Sequence, residues 1–367
     1  MRRNKLLKYD CRFFRGDVPC KPHKMHGVHC FNNGKVCRYY DKVKTRILII
    51  KLGAIGDVIR TTPLVRKLRK VYRKSEIWWL TLTPEVLPKE IDFVLSFNLQ
   101  NVLTIEGVPF NIAINLDKDK EACALMSRIS AKIKKGFILK DGKCFPVNRA
   151  ARHKYLTGLF DDVSKSNRKS YQEEIFEICG LKFNGEEYLM PPVQDINWNL
   201  PENKIIVGLN TGCGGRWTSR LWPDRYWIDL AKKLKGKKYI PLLLGGEQEH
   251  EKNLKISRIS KAIYLGHFPL EEFISLVNQC DIVISGVTMG MHVAIGLKKK
   301  LVLLNNIFNR HEFELYGRGL IVEPDFECDC YYSPVCENNC MQYLSVNSVF
   351  GACEQLVKNL IKNKLIA

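Results

Sequence analysis

The chain predicts an α/β protein built from two doubly wound parallel-sheet domains. Three observations carry this. Short apolar, β-branched runs alternate with amphipathic stretches along most of the sequence, the rhythm of βα units joined by right-handed crossovers. Each half opens with the same device, a strand running into a glycine loop and then a helix. The length of 367 residues is that of two domains rather than one.

The first device is RILIIKLGAIGDVIRTTPLVRKLRK, Arg46 to Lys70. The run Ile47 to Ile50 predicts a strand, and Gly53-Ala54-Ile55-Gly56 a turn in which the backbone can approach a ligand closely. Asp57 follows at the helix start, where unpaired N–H groups and the dipole make a polar site. There it can project into a cleft as a catalytic carboxylate or cap the helix. The second device is KIIVGLNTGCGGRWTSRLWPDRYWIDLAKKL, Lys204 to Leu234. Strand Ile205 to Leu209 meets Asn210-Thr211-Gly212-Cys213-Gly214-Gly215, then Arg216, Arg220 and Trp222-Pro223, with Pro223 suited to a first helical turn. A third block, YIPLLLGGEQEHEKN, gives a strand, Gly245-Gly246, Glu247 and Glu249. In a fourth, CDIVISGVTMGMHVAIGLKKKLVLLNN, strand Ile282 to Ser285 precedes the loop Gly286 to Gly290 and a helix bearing Met291 and His292. Further strands are predicted at Ile77–Leu82, Phe93–Phe97 and Ile112–Leu116, and a C-terminal helix over Ser345–Ile366 from the spacing of Val349, Cys353, Leu356, Val357, Leu360 and Ile361.

These four blocks, in order and spacing over residues 45 to 350, resemble glycosyltransferase family 9, the ADP-heptose:lipopolysaccharide heptosyltransferases. The resemblance implies the GT-B architecture, two Rossmann-like domains facing a cleft, and an inverting, metal-independent transfer from a nucleotide sugar, ADP-heptose in the family. The boundaries read as a Cys/His-rich extension (1–44), an N-terminal acceptor domain (45–190), a proline- and asparagine-rich linker (191–203), a C-terminal nucleotide-sugar domain (204–345) and a terminal helix (346–367).

Such a transfer needs a base for the acceptor hydroxyl, a stabilised diphosphate leaving group and an anomeric carbon held in line. Asp57 is the candidate base. Gly53, Gly56, Thr61 and Thr62 form the acceptor-side loop. Thr211, Gly212 and Gly214 with Arg220, and Arg216 as a second cation, are placed to meet diphosphate, since guanidinium binds two phosphate oxygens at once. Glu247 or Glu249 is suited to a ribose, or to an acidic first helical turn. Thr288, Gly290, Met291 and His292 open a helix whose N–H groups suit phosphate; His292 either reaches that phosphate or packs in the helix. The sequence departs from the family at Val287, commonly aspartate, and at Asn305-Asn306-Ile307-Phe308-Asn309, commonly a glycine-proline segment. Both changes fall where donor sugar and pyrophosphate are expected.

A formal charge of +20, from 58 basic and 38 acidic residues, favours anionic partners. No basic stripe interleaved with aromatics marks a nucleic-acid module, so the expected partners are a nucleotide sugar, a lipid-linked or lipopolysaccharide-core acceptor and the inner membrane surface. No apolar run approaches the roughly 20 residues that span a bilayer, and MRRNKLLKYD lacks a signal-peptide core. The expected location is the cytoplasm, peripheral at the inner face of the membrane.

Eight of the 14 cysteines fall in two clusters, Cys11, Cys20, Cys30 and Cys37 and then Cys328, Cys330, Cys336 and Cys340. In a reducing compartment clustered thiols suit structural zinc, stay as bare thiols, or form an iron–sulfur site or disulfide. Catalysis itself is expected to need no cofactor. Two rival readings remain: a GT-B transferase using another nucleotide sugar, and a non-catalytic, metal-scaffolded binding protein.

Overall fold

A computed structural model describes residues 7–201, 203–236 and 238–366. The chain forms two compact units, one of residues 1–52, 64–84 and 90–148, the other of residues 53–63, 85–89 and 149–367. Met1 to Leu6 of the basic N-terminus lie outside the described residues.

In the first unit, the extension carries a helix (Lys21–His26) and a hairpin of β1 (Phe31–Asn32) and β2 (Lys35–Val36). Asn33 and Gly34 close that hairpin with positive φ, as an Asn-Gly turn does. Arg12 ties the extension to the body, bonding the Asp41 carboxylate at 2.9 Å and the Ser75 carbonyl at 2.8 Å. The sheet comprises β3 (Thr45–Ile50), β4 (Ser75–Thr81), β5 (Phe93–Ser96), β6 (Phe110–Asn115), β7 (Ala131–Lys140) and β8 (Lys143–Pro146), in the order β5-β4-β3-β6-β7-β8. All pairs are parallel except the closing β7–β8 pair. Ile47 to Ile50 are fully buried, as a central parallel strand covered on both faces must be.

The second unit holds β9 (Ile205–Asn210), β10 (Tyr239–Leu244), β11 (Ile282–Gly286), β12 (Lys300–Leu304) and β13 (Gly319–Val322), all parallel, in the order β10-β9-β11-β12-β13. Its core packs Val207, Leu209, Ile284 and Val302 against Trp222 and against Trp227 and Leu230 of the Asp224–Leu234 helix, with Val349, Cys353 and Val357 of the Val346–Ile366 helix. The side chains of Leu360 and Ile361 lie outside the described residues. Pro223 is the N-cap of its helix, one residue before the first turn.

The domain boundaries need one correction. Residues 149–190 and the Gly53–Pro63 turn belong to the second unit. The reason is polar as well as apolar. Asn309 Nδ2 donates to the carbonyls of Ser164 (2.6 Å) and Asn167 (2.8 Å), Tyr331 and Ser164 hydroxyls meet at 2.9 Å, and Leu189 N donates to Thr62 Oγ1 at 2.9 Å. No helix among the described residues is long and apolar enough to cross a membrane.

Candidate active site

The glycine loops of the second unit surround one cavity of about 700 Å³, a size ordinary for a small-molecule site. It lies at the C-terminal ends of β9, β10, β11 and β12, where ligands bind in open α/β sheets.

Asp57 lines this cavity from the third position of the Ile55–Thr61 helix. Its capping role is not what the structure shows: Ala54 is the N-cap. The Asp57 carboxylate instead pairs with Arg60 Nη2 at 2.8 Å, one turn on. Arg60 is half-buried, with its guanidinium 3.5 Å above the centre of the Tyr171 ring. Burial alone would lower the Arg60 guanidinium, but Asp57, Tyr171 and Glu312 outweigh it and hold it above its ordinary value. Glu312 also lines the cavity, its Oε2 lying 3.9 Å from Arg60 Nη1. Sequence reading passed over both residues.

Gly56 lines the cavity too, and His292 of the Met289–Gly296 helix packs directly on it. His292 Nδ1 lies 3.4 Å from the Tyr188 hydroxyl. Burial first, then the nearby Arg60, push the His292 imidazole down to about 3, Asp57 opposing. His292 is therefore neutral at pH 7 and joins two helices; it offers a diphosphate no positive charge. Thr61 and Thr62 are fully buried and Gly53 is not on the wall. Thr61 Oγ1 donates to the Asp57 carbonyl at 2.7 Å and Thr62 Oγ1 to the Ile59 carbonyl at 2.8 Å, so both threonines brace the turn from behind.

Gly212, Cys213, Gly214 and Arg216 form the opposite wall with Arg220. Thr211 sits behind it, its hydroxyl donating to Asn253 Oδ1 at 2.6 Å. Glu249, not Glu247, reaches the cavity, and its Oε2 accepts from Gly246 N at 2.9 Å. A side chain at Gly212 would begin 2.1 Å from Glu249, so the loop and the carboxylate fit only because residue 212 is glycine.

Arg220 is held by backbone carbonyls: Nη1 by Val287, Nη2 by Cys213 at 3.2 Å and Nε by Trp217 at 3.4 Å. Its guanidinium lies 5.6 Å from the Trp217 ring centre and 5.7 Å from that of Phe308. Among the described residues no carboxylate pairs with it, and burial lowers its affinity for its proton. Thr288 and Gly290 line the wall beside it, while Met291 is buried behind. Asn210 Nδ2 donates to Ser285 Oγ and Thr288 Oγ1, both at 3.0 Å, and holds that helix start in place. A side chain at Gly290 would begin 2.9 Å from Asn210.

Behind Trp217 and Phe308 lies the second cysteine cluster. The sulfurs of Cys328, Cys336 and Cys340 lie within 4.8 Å of one another and are buried, packed with Ile307. Cys330, half-buried, hydrogen-bonds to Cys336. The first cluster differs from expectation. Cys11, Cys20, Cys30 and Cys37 line one small cavity of about 30 Å³, but among the described residues no three ligand atoms of the extension converge as a metal needs. Its histidines are engaged otherwise: His23 Nδ1 meets the Val28 carbonyl at 3.0 Å and His26 stacks on Tyr39.

Residues 197–320 match the family model described as glycosyltransferase family 9 (heptosyltransferase). No curated protein matches the chain. Among solved structures, a family 9 glycosyl transferase from Veillonella parvula superposes with a TM-score of 0.65 at 19% identity, covering 86% of this chain and 97% of that one. The E. coli ADP-heptose LPS heptosyltransferase II gives 0.59 at 15%, covering 86% and 99%. The iron-containing dodecameric glycosyltransferase TibC from enterotoxigenic E. coli gives 0.53 at 11%, covering 86% and 77%. Two parallel-sheet α/β units match the GT-B fold of these proteins, and the family match spans β9 to β13. Over residues 197–320 the chain is therefore similar to glycosyltransferase family 9 (heptosyltransferase), and its fold is that of these solved glycosyltransferases.

Proposed function

We propose that this protein is an inverting transferase that moves a sugar, heptose from ADP-heptose, onto a membrane-associated saccharide of the lipopolysaccharide-core kind. The observation that carries the reading is one cavity that presents Asp57 and, from other loops, an arginine with no carboxylate partner among the described residues, beside a helix start. Asp57 takes the proton of the acceptor hydroxyl as that oxygen attacks the anomeric carbon. Arg220 and the N–H groups at Met289 and Gly290 receive the negative charge that builds on the departing diphosphate. Arg60 holds the Asp57 carboxylate in one orientation, and His292 fixes the helix that carries it. Glu249 is placed for a ribose hydroxyl. The donor assignment draws on the ADP-heptose in the name of the E. coli neighbour. A net charge of +20 suits an anionic acceptor at the inner face of the membrane.

The Cys328, Cys336 and Cys340 thiols, with Cys330 in reach, suit a structural metal. Convergent thiolates are a donor set for tetrahedral zinc or iron, and TibC is iron-containing. Such an ion would brace the wall at Trp217 and Phe308 and take no part in transfer.

A second reading keeps the transfer and changes the sugar. Val287 gives the cavity an apolar spot where the family commonly has aspartate. Titration of the pure protein with ADP, GDP, UDP, CDP and dTDP tests both. Selective binding of ADP is expected; selective binding of another nucleotide would discard ADP-heptose, and binding of none would discard the transferase reading.

A further inference from the structure

Three acidic residues line the cavity, and two are already engaged. Asp57 is paired with Arg60, and Glu249 accepts from the Gly246 amide. Glu312 is the third. It closes the short turn Arg310–Glu312 after β12, a turn fixed by Asn309 Oδ1 accepting from His311 N at 3.0 Å. The residue is 7% exposed. Among the described residues its carboxylate accepts no hydrogen bond, and Arg60 at 3.9 Å is beyond that range. Burial, with Glu174 and Asp57 adding to it against Lys154 and Arg60, raises the Glu312 carboxyl above its usual range.

The Glu312 side chain is buried, yet its carboxylate opens onto the cavity, so its hydrogen bonds come from whatever fills that cavity, water or ligand. The ligand group must be a small donor, because Asp57 already uses the near side of Arg60 and a second cation beside Arg60 would be repelled. A sugar hydroxyl fits: it donates to a carboxylate and brings no charge. The loop that bears Glu312 starts at the C-terminal end of β12, on the same sheet as the diphosphate-facing loops. The loop after β11 offers no carboxylate there, with Val287 and Thr288 on the wall.

We propose that Glu312 binds a hydroxyl of the transferred sugar and so helps to select it. The assignment rests on the glycosyl-transfer reading of this cavity. Arg60 then has two tasks, holding Asp57 and offsetting the repulsion between two carboxylates that share one pocket.

The test is isothermal titration of wild type, Glu312→Ala and Glu312→Gln with ADP and, separately, ADP-heptose. ADP should bind all three proteins alike, which also shows that each variant is folded. ADP-heptose should bind Glu312→Ala about 10- to 100-fold more weakly than wild type, the loss of one charge-assisted hydrogen bond, with Glu312→Gln between. Equal ADP-heptose affinity in wild type and Glu312→Ala would overturn the assignment and leave the transferase reading standing. An equal loss for both ligands would also overturn it, since Glu312 would then act through the fold. If Glu312 holds an acceptor hydroxyl instead, donor affinity stays unchanged and the Michaelis constant for acceptor rises. Wild type that binds neither ligand would overturn the functional reading and this assignment together.

Discussion

A Cβ atom on Gly56 would lie 2.5 Å from Cδ2 of His292, far inside van der Waals contact. The glycine before the candidate base is therefore occupied space, filled by an imidazole from the Met289–Gly296 helix. Gly56→Ala should cost about 1–3 kcal/mol by overpacking and should shift Asp57, lowering turnover more than nucleotide affinity. Adding His292→Ala should recover part of the stability, a coupling that urea titration of both single variants and the double variant would show. Simple additivity would mean that the two side chains do not compete for that space.

Asp57→Asn keeps the shape of the side chain and removes the base. Turnover should fall by about 10²- to 10⁴-fold, while the dissociation constant for ADP changes little. Wild-type turnover in that variant would remove Asp57 from the proton transfer.

His292 gives stability a pH dependence of known sign. Below pH 6.5 the unfolded chain binds a proton at this histidine that the folded chain refuses until about pH 3. Between those values stability falls on acidification, by about 1.4 kcal/mol per pH unit at the steepest. Above pH 6.5 the contribution is flat. Urea unfolding of wild type and His292→Gln from pH 4 to 8 should show the difference between them narrowing as pH falls, since the variant lacks this loss. A constant difference would mean that His292 is solvated.

The cysteine clusters should differ in metal content. Protein purified under reducing conditions should carry about one zinc or iron per chain by elemental analysis. Cys336→Ser should lose it and melt at lower temperature, since a thiolate-held metal couples binding to folding. Serine at Cys11, Cys20, Cys30 and Cys37 should leave the count unchanged. Two ions per chain would restore the extension as a metal site.

Much of this was legible in the sequence. Ile47–Ile50 and Ile282–Ser285 are largely β-branched runs that lead within three residues to a glycine, and both are strands within a residue or two of expectation. Gly212, Arg220, Glu249 and Thr288 follow such strands and reach the cavity. Arg60 and Glu312 gave no signal. One is a basic residue in a chain with 58 of them, the other an acid in a loop without a motif, and their meeting joins segments 252 positions apart. Residues 149–190 look like a continuation of the first domain because nothing local records that Asn309 and Tyr331 bond to Ser164. The extension misled in the other direction. Its four thiols have the right number but no closely spaced pair to seed a common centre, and the chain holds them around a void instead.

Arg220 has one more consequence. Fixed by carbonyl oxygens and flanked by two rings, its guanidinium has no carboxylate partner of its own among the described residues. On the proposed function, an entering diphosphate would serve as that partner. Recognition of the leaving group and cohesion of the wall become a single free energy, so inorganic pyrophosphate, with neither base nor sugar, should raise the melting temperature of wild type and not of Arg220→Ala.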